Sequence, residues 1–72
     1  MEIVFSKHAQ ERMFTRNVDE TEVELTVKSP DRRLFTARNR RIVYKLLHDR
    51  IIIIVYTVER GTIFIITTMV YE

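Results

Sequence analysis

The sequence of 72 residues contains no cysteine, no tryptophan, one glycine and one proline. Without cysteine, neither a disulfide framework nor a thiolate metal site can support the fold. A single glycine leaves no room for a glycine-rich loop that wraps a phosphate with backbone amides, so nucleotide-binding motifs of that kind are excluded. A chain this short buries only about 60% of its unfolded surface. Its stability therefore depends on the apolar residues, which are 46% of the total.

Long apolar runs are also lacking. The longest, Ile51 to Tyr56, is far shorter than the roughly 20 residues that a membrane-spanning helix needs. The first five residues lack the basic region that begins a secretory signal. We therefore expect a cytoplasmic protein with no membrane partner, and the absence of cysteine is consistent with a reducing compartment.

The net charge is only +2, but arginine outnumbers lysine by nine to three, and the acids gather between residues 19 and 24. Five arginines fall within ten residues: Arg32, Arg33, Arg38, Arg40 and Arg41. Because a guanidinium pairs with phosphate through two parallel hydrogen bonds, this cluster predicts a nucleic-acid interface. The alternative is a solvated hairpin whose charges only maintain solubility.

Two helices are indicated near the N-terminus. Ser6 has the position of an N-cap. Asp19, followed three residues later by Glu22, forms a capping box, and Pro30 marks the end of that segment. The alternation of apolar and polar residues from 23 to 27 would favour a strand, but the end signals outweigh it. We therefore predict one helix from Lys7 to about Arg16 and a second from about Glu20 to Lys28.

After Pro30 the pattern is typical of strands, rich in Ile, Val, Tyr and Thr and separated by turn residues. The four predicted strands are Arg33–Ala37, Arg41–Leu47, Ile51–Glu59 and Thr62–Val70, with turns at Asn39-Arg40, His48-Asp49-Arg50 and Arg60-Gly61. The predicted fold is α+β, with two N-terminal helices packed on one face of a four-stranded antiparallel β-meander.

The faces of these strands carry a further prediction. In the second predicted strand, the core side is expected to hold Ile42, Tyr44 and Leu46, and the open side Arg41, Val43, Lys45 and Leu47. The third predicted strand is apolar on both faces, whereas a sheet with one solvated face normally alternates. We therefore expect a homodimer mate or an inhibitor protein to cover the open face. The alternative is a curled sheet that hides its own centre.

The titratable residues favour acid–base chemistry without a metal or cofactor, since no metal-binding spacing is present. Metal-free RNA cleavage needs a group that moves protons and cations that stabilise the charged phosphorus intermediate. His8 is the candidate for proton transfer because histidine titrates near neutral pH. Arg12 lies one helical turn further on the same face. The alternative is that His8 is purely structural, as most single helical histidines are.

Arg41 and Lys45 are candidates for contact with the scissile phosphate, or else they keep an exposed strand soluble. Tyr56 and Tyr44 are candidates for stacking on bases, although tyrosine is common in strands for packing reasons alone. Together with the arginine cluster, these residues predict RNA as the ligand.

The segment Phe5-Ser6-Lys7-His8-Ala9-Gln10-Glu11-Arg12-Met13 resembles the S-K-H-A-x-x-R-M opening of a widespread family of small domains of unknown function. The similarity continues through the capped second helix, Ser29-Pro30-Asp31 and the last hairpin. That family is similar to the BrnT toxins, and both are grouped with the barnase–EndoU–colicin–RelE ribonuclease fold.

This resemblance implies two N-terminal helices, a four-stranded antiparallel sheet, metal-independent RNA cleavage and inhibition by a cognate antitoxin that covers the sheet. It assigns the family's helix histidine to His8 and its helix arginine to Arg12. The sheet cations fall on Arg41 and Lys45, and Thr67 lies near the end of the last strand. BrnT-like chains usually continue into another helix, which this sequence does not contain.

Three functional hypotheses follow. The first is a toxin-like endoribonuclease that uses His8 for proton transfer. The second is a non-catalytic nucleic-acid-binding module, and the third is a protein-interaction module that uses the apolar sheet face. Only the first gives a titrating group at His8 a purpose.

Overall fold

The computed structural model describes residues 2–36 and 38–72. Within them the chain forms two helices and one five-stranded sheet. In chain order the elements are β1 (Glu2–Phe5), α1 (Lys7–Arg16), α2 (Glu20–Lys28), β2 (Arg32–Phe35), β3 (Arg41–Leu47), β4 (Arg50–Glu59) and β5 (Thr62–Tyr71). The strand order across the sheet is β1-β5-β4-β3-β2.

The α+β class is confirmed, but the predicted four-stranded antiparallel meander is wrong in detail. β1 is a fifth strand, and it pairs in parallel with β5, from Glu2 opposite Thr62 to Phe5 opposite Ile65. The sheet is therefore mixed. The first meander strand is also shorter than predicted, because β2 ends at Phe35, and the predicted end at Ala37 lies outside the described residues.

Both helices have the predicted bounds, and local capping explains why. The Asp19 side chain accepts from the Glu22 backbone while the Glu22 side chain accepts from the Asp19 backbone, so the capping box is complete. α1 ends at Asn17, which adopts the left-handed conformation and donates its backbone N–H to the last carbonyls of the helix. Neither helix has the length and apolar character needed to cross a lipid bilayer.

The start of α1 is fixed to the sheet by Ser6. Its hydroxyl accepts from the backbone of Ala9, as an N-cap does, and also donates to the carbonyl of Ile66 at 2.9 Å. Ile66 is the extra residue of a β-bulge in β5, where the register shifts from Val55–Thr67 to Tyr56–Ile65. The bulge leaves this carbonyl without a partner in the strand ladder, so Ser6 satisfies both a helix end and a sheet irregularity.

The core lies between the two helices and one face of the sheet, called here the helix face. Ala9 and Met13 of α1 pack over β5, and Val23 and Val27 of α2 pack toward β3 and β4. The sheet contributes Val43, Ile52, Ile54, Tyr56, Ile63 and Ile65. The opposite side of the sheet, called here the open face, has no covering element in the described residues.

The predicted faces of β3 are reversed. Val43 is 1% exposed and belongs to the core, and Leu47 packs against it. Ile42, Tyr44 and Leu46 lie instead on the open face. Arg41 and Lys45 alternate with them and therefore lie on the helix face, at the margins of the area that the helices cover. The helix face was not identifiable from β3 alone, because both of its faces contain apolar residues.

Arg50, at the start of β4, connects the two helices to the sheet. Its guanidinium donates to the carbonyl oxygens of Arg16 at 2.8 Å and Asn17 at 2.7 Å, and it lies 3.3 Å from the Glu22 carboxylate. The side chains of Arg50 and Glu22 are only 16% and 14% exposed. One residue thus binds the C-terminus of α1 and the N-terminus of α2 at once.

Asp31 fixes the register in which β2 pairs with β3. Its backbone N–H donates to the carbonyl of Tyr44, and its carboxylate accepts from the backbone of Leu46, both at 2.8 Å. Lys45 lies 3.7 Å from the same carboxylate. These contacts fix the register in which Arg32 lies opposite Tyr44 and Arg33 opposite Val43.

Replacing Ser6 with alanine is expected to lower the free energy of unfolding by about 1–2 kcal/mol. The variant loses the N-cap and leaves the bulge carbonyl of Ile66 unpaired. Urea denaturation followed by circular dichroism measures the change. Ser29→Ala is the matched control, since only backbone atoms of Ser29 form hydrogen bonds in the described residues. Equal stability of Ser6→Ala and wild type would contradict the role of the hydroxyl.

Replacing Arg50 with alanine is expected to cost roughly 2–3 kcal/mol, because a mostly buried carboxylate and two helix-end carbonyls lose their donor. The same denaturation experiment measures it. Arg60→Ala removes an equal charge from the exposed β4–β5 turn and should change stability by less than about 0.5 kcal/mol. Similar losses in the two variants would show that net charge, not the connection between helices and sheet, is responsible.

Candidate functional site

A basic pocket of about 310 Å³ opens on the helix face, beyond the end of α2. We call it the basic pocket; it is lined by Ile3, Val27, Lys28, Arg33, Arg41, Tyr56, Val58 and Ile63. Its walls are apolar, three cations belong to its lining, and no acidic side chain does. Two further pockets formed by the described residues include aspartate or glutamate in their linings, which distinguishes the basic pocket from them.

Three different elements bring the cations together. Lys28 is in the last turn of α2, Arg33 is on β2 and Arg41 begins β3. Arg33 and Arg41 share the helix face because β2 and β3 pair antiparallel, with Arg33 opposite Val43 and Phe35 opposite Arg41. The strands therefore hold two guanidinium groups on the same side of the sheet, and the helix adds an ammonium group beside them.

Arg41 has the most specific environment of the three. Its Nε is buried and has no hydrogen-bond partner in the described residues. Its guanidinium lies over the ring of Phe35, 5.4 Å from the centroid, which is cation–π geometry. A buried donor without an acceptor costs free energy. The guanidinium of Arg41 thus belongs both to this stacked, mostly enclosed arrangement and to the lining of the basic pocket.

The arrangement can bind an anion with several oxygen atoms. Guanidinium groups match phosphate geometrically, and unopposed cations beside low-dielectric walls attract anions more strongly than cations in open solvent do. Tyr56 forms part of the wall and is only 6% exposed. It is therefore a boundary of the pocket and offers little ring surface on which a base could stack.

His8 and Arg12 lie elsewhere. Both are exposed on α1, one turn apart, beside the stripe formed by the buried Ala9 and Met13. No hydrogen bond or ion pair within the described residues engages either side chain. α1 packs on β5, and none of its residues lines the basic pocket. The structure thus places the predicted proton-transfer pair and Arg41 in separate locations.

Lys45 is engaged in holding the fold together. Its ammonium group donates to the carbonyl of Ser29 at 2.6 Å, at the C-cap of α2, and lies near Asp31. Thr67 is on the open face opposite Val55, on the other side of the sheet from α1. Neither residue is in the lining of the basic pocket.

The arginine cluster is divided by the sheet. Arg33 and Arg41 lie on the helix face, whereas Arg32 lies on the open face, opposite Tyr44. Arg38 and Arg40 are exposed in the connection between β2 and β3, next to Arg41 in sequence. The cluster therefore forms a basic end of the molecule around the basic pocket, with one member on the opposite face.

Sequence reasoning missed Lys28. The sequence feature that could have identified Lys28 is its position in the last turn of α2. Only three residues separate Lys28 from the start of β2. So short a connection requires the end of the helix to lie beside β2. Among the described residues, no three His, Asp or Glu side chains come together in a way that could hold a metal ion.

Comparison with known proteins identifies the family without assigning an activity. A sequence profile described as a domain of unknown function, DUF4258, matches residues 5–70. No curated protein matches, and no solved structure matches. The matched range contains both helices and every cation of the basic pocket, so the chain belongs to the DUF4258 family of domains of unknown function.

Proposed function

We propose that this domain binds RNA through its backbone phosphates, and that the basic pocket holds one of them. The observation that carries the proposal is the lining of the basic pocket, which brings three cations from three different elements together and includes no acid. A phosphate oxygen is an acceptor of the right charge for these donors.

The surroundings of the basic pocket extend this proposal from one phosphate to a polymer. Arg38 and Arg40 are exposed beside Arg41 and can meet the phosphates on either side of the one in the pocket. The apolar walls contributed by Val27, Val58 and Ile63 suit a sugar or the edge of a base. Positively charged grooves with apolar contact surfaces are the usual form of single-strand binding sites.

Metal-independent RNA cleavage is the second candidate, and His8 and Arg12 favour it. In this reaction the ribose 2′-oxygen attacks phosphorus, and the bond to the 5′-oxygen breaks. His8 would accept the 2′-hydroxyl proton or return a proton to the leaving oxygen, while Arg12 stabilises the negative charge on phosphorus. Lys28, Arg33 and Arg41 then act as binding residues for a neighbouring part of the strand.

The toxin-like role belongs to this second candidate. The resemblance to BrnT and RelE-like toxins implies that a cognate antitoxin restrains the activity. The non-catalytic alternative keeps the basic pocket and omits His8 from the mechanism. RNA binding and RNA cleavage therefore need separate experiments.

The binding proposal predicts that Arg41→Gln raises the Kd for a fluorescent single-stranded RNA by about tenfold and lowers the slope of log K against log salt by about one. Fluorescence anisotropy at several salt concentrations measures both quantities. Arg16→Gln is the matched control, because Arg16 is an exposed arginine at the end of α1 near Arg50, away from the pocket. Equal weakening in both variants would indicate diffuse charge attraction and contradict a specific pocket.

The cleavage proposal predicts that wild type cleaves RNA in the presence of a metal chelator and that His8→Ala slows cleavage about 10²- to 10⁴-fold. RNA affinity should be unchanged, because His8 is not part of the basic pocket. His48→Ala is the matched control, since His48 is an exposed histidine in the β3–β4 turn. Intact RNA after incubation with folded wild type would eliminate the enzyme hypothesis and leave the binding one standing.

A further inference from the structure

The open face of the sheet is apolar across all five strands. It contains most of the exposed large hydrophobic side chains of the described residues: Val4, Leu34, Leu46, Phe64, Met69 and Tyr71. Leu46 is 62% exposed and Tyr71 is 68% exposed. Contiguous apolar surface of this kind is typical of an interaction site in a small protein.

Charges on the open face are confined to its margins and have both signs. Glu2 lies on β1, Glu59 is the last residue of β4, and Arg32 lies on β2. The side chains of Glu2 and Arg32 form no hydrogen bond or ion pair with other described residues. With one cation among these three residues, the face is a poor match for RNA. Because the centre of the face is apolar and its two edge strands carry opposite charges, the face is complementary to the same face of a second copy.

We propose that a second copy of this chain covers the open face, forming a symmetric dimer of two stacked sheets. Such an isologous interface uses the same surface patch on both copies. The basic pocket is on the other side of the sheet, so both copies keep it exposed. The dimer therefore presents two basic pockets on opposite outer surfaces.

The size of the face is sufficient. The five strands contain 4, 4, 7, 10 and 10 residues. With strands about 4.8 Å apart and a rise of about 3.3 Å per residue, they make a face of roughly 550 Å². Two such faces bury at most about 1,100 Å² in projection, which is of the order of the roughly 1,000 Å² expected of a specific interface.

The strand register suggests how the two copies are oriented. Glu2 lies opposite Thr62, beside the end of β4, whereas Arg32 is aligned through Tyr44 with Ile53, near the start of β4. The two charges are thus on opposite edges and toward opposite ends of the face. A two-fold axis between the sheets, passing over the middle of the face near Val55, brings Glu2 of each copy to Arg32 of the other. The strands of the two sheets then cross at nearly 90°, one of the two preferred packings of stacked sheets.

The first experiment is the mass of the full chain in solution, measured by sedimentation equilibrium over a wide concentration range. Wild type should be a dimer, and Phe64→Glu and Leu34→Glu should each be a folded monomer, because each places a carboxylate where the two sheets overlap. Phe14→Glu is the matched control: Phe14 is 90% exposed but lies on α1, so this variant should remain a dimer.

Charge reversal tests the orientation. Glu2→Arg and Arg32→Glu should each raise the dimer dissociation constant about tenfold, and the double variant should restore it, as expected for a pair that meets across the interface. A monomeric wild type would overturn the proposal, even if an inhibitor protein were found to bind the face. It would also be overturned by a dimer that persists in Phe64→Glu and Leu34→Glu, or by a double variant weaker than either single one.

Discussion

The guanidinium of Arg50 donates to two carbonyl oxygens at the end of α1 and contacts the Glu22 carboxylate that caps α2. Since α1 and α2 are joined by only three residues, this contact sets the angle at which α2 crosses the sheet. That angle determines where Lys28, at the far end of α2, is placed. The composition of the basic pocket at one end of the sheet thus depends on an ion pair at the other. In a chain with no disulfide, this polar connection supplements a small apolar core.

The two helices and their approximate ends could be predicted because their end signals are local. Ser6, Asp19 and Glu22 make their capping bonds within three or four residues. β1 could not be predicted in the same way. It has only four residues, too few to show alternation, and its partner β5 begins 60 positions later in the sequence. The error about which side chains of β3 face the core has a related cause. Both faces of β3 contain apolar residues, and the position of the helices decides which of them become core.

Most residues of the candidate site could be predicted from the sequence, but the way in which the fold groups them could not. The sequence pointed to the arginine cluster and to Arg41 in particular. It did not show that the sheet separates Arg32 from Arg33, nor that Lys28 joins Arg41 from another element. The resemblance grouped His8 with Arg41 in one site, whereas of these two residues only Arg41 lines the basic pocket. Which side chains share a pocket depends on long-range strand pairing, which neither spacing nor residue type reveals.

The contacts of Asp31 determine which side chains of β2 lie on each face of the sheet. β2 is a four-residue edge strand, and a shift of one residue in its pairing would exchange its two faces. Arg33 would then leave the basic pocket, and Arg32 and Leu34 would leave the open face. The bonds from Asp31 to Tyr44 and Leu46 select one register from the two. A residue outside the basic pocket thereby acts as a selector: it decides which of two adjacent arginines meets an anion and which meets a protein surface.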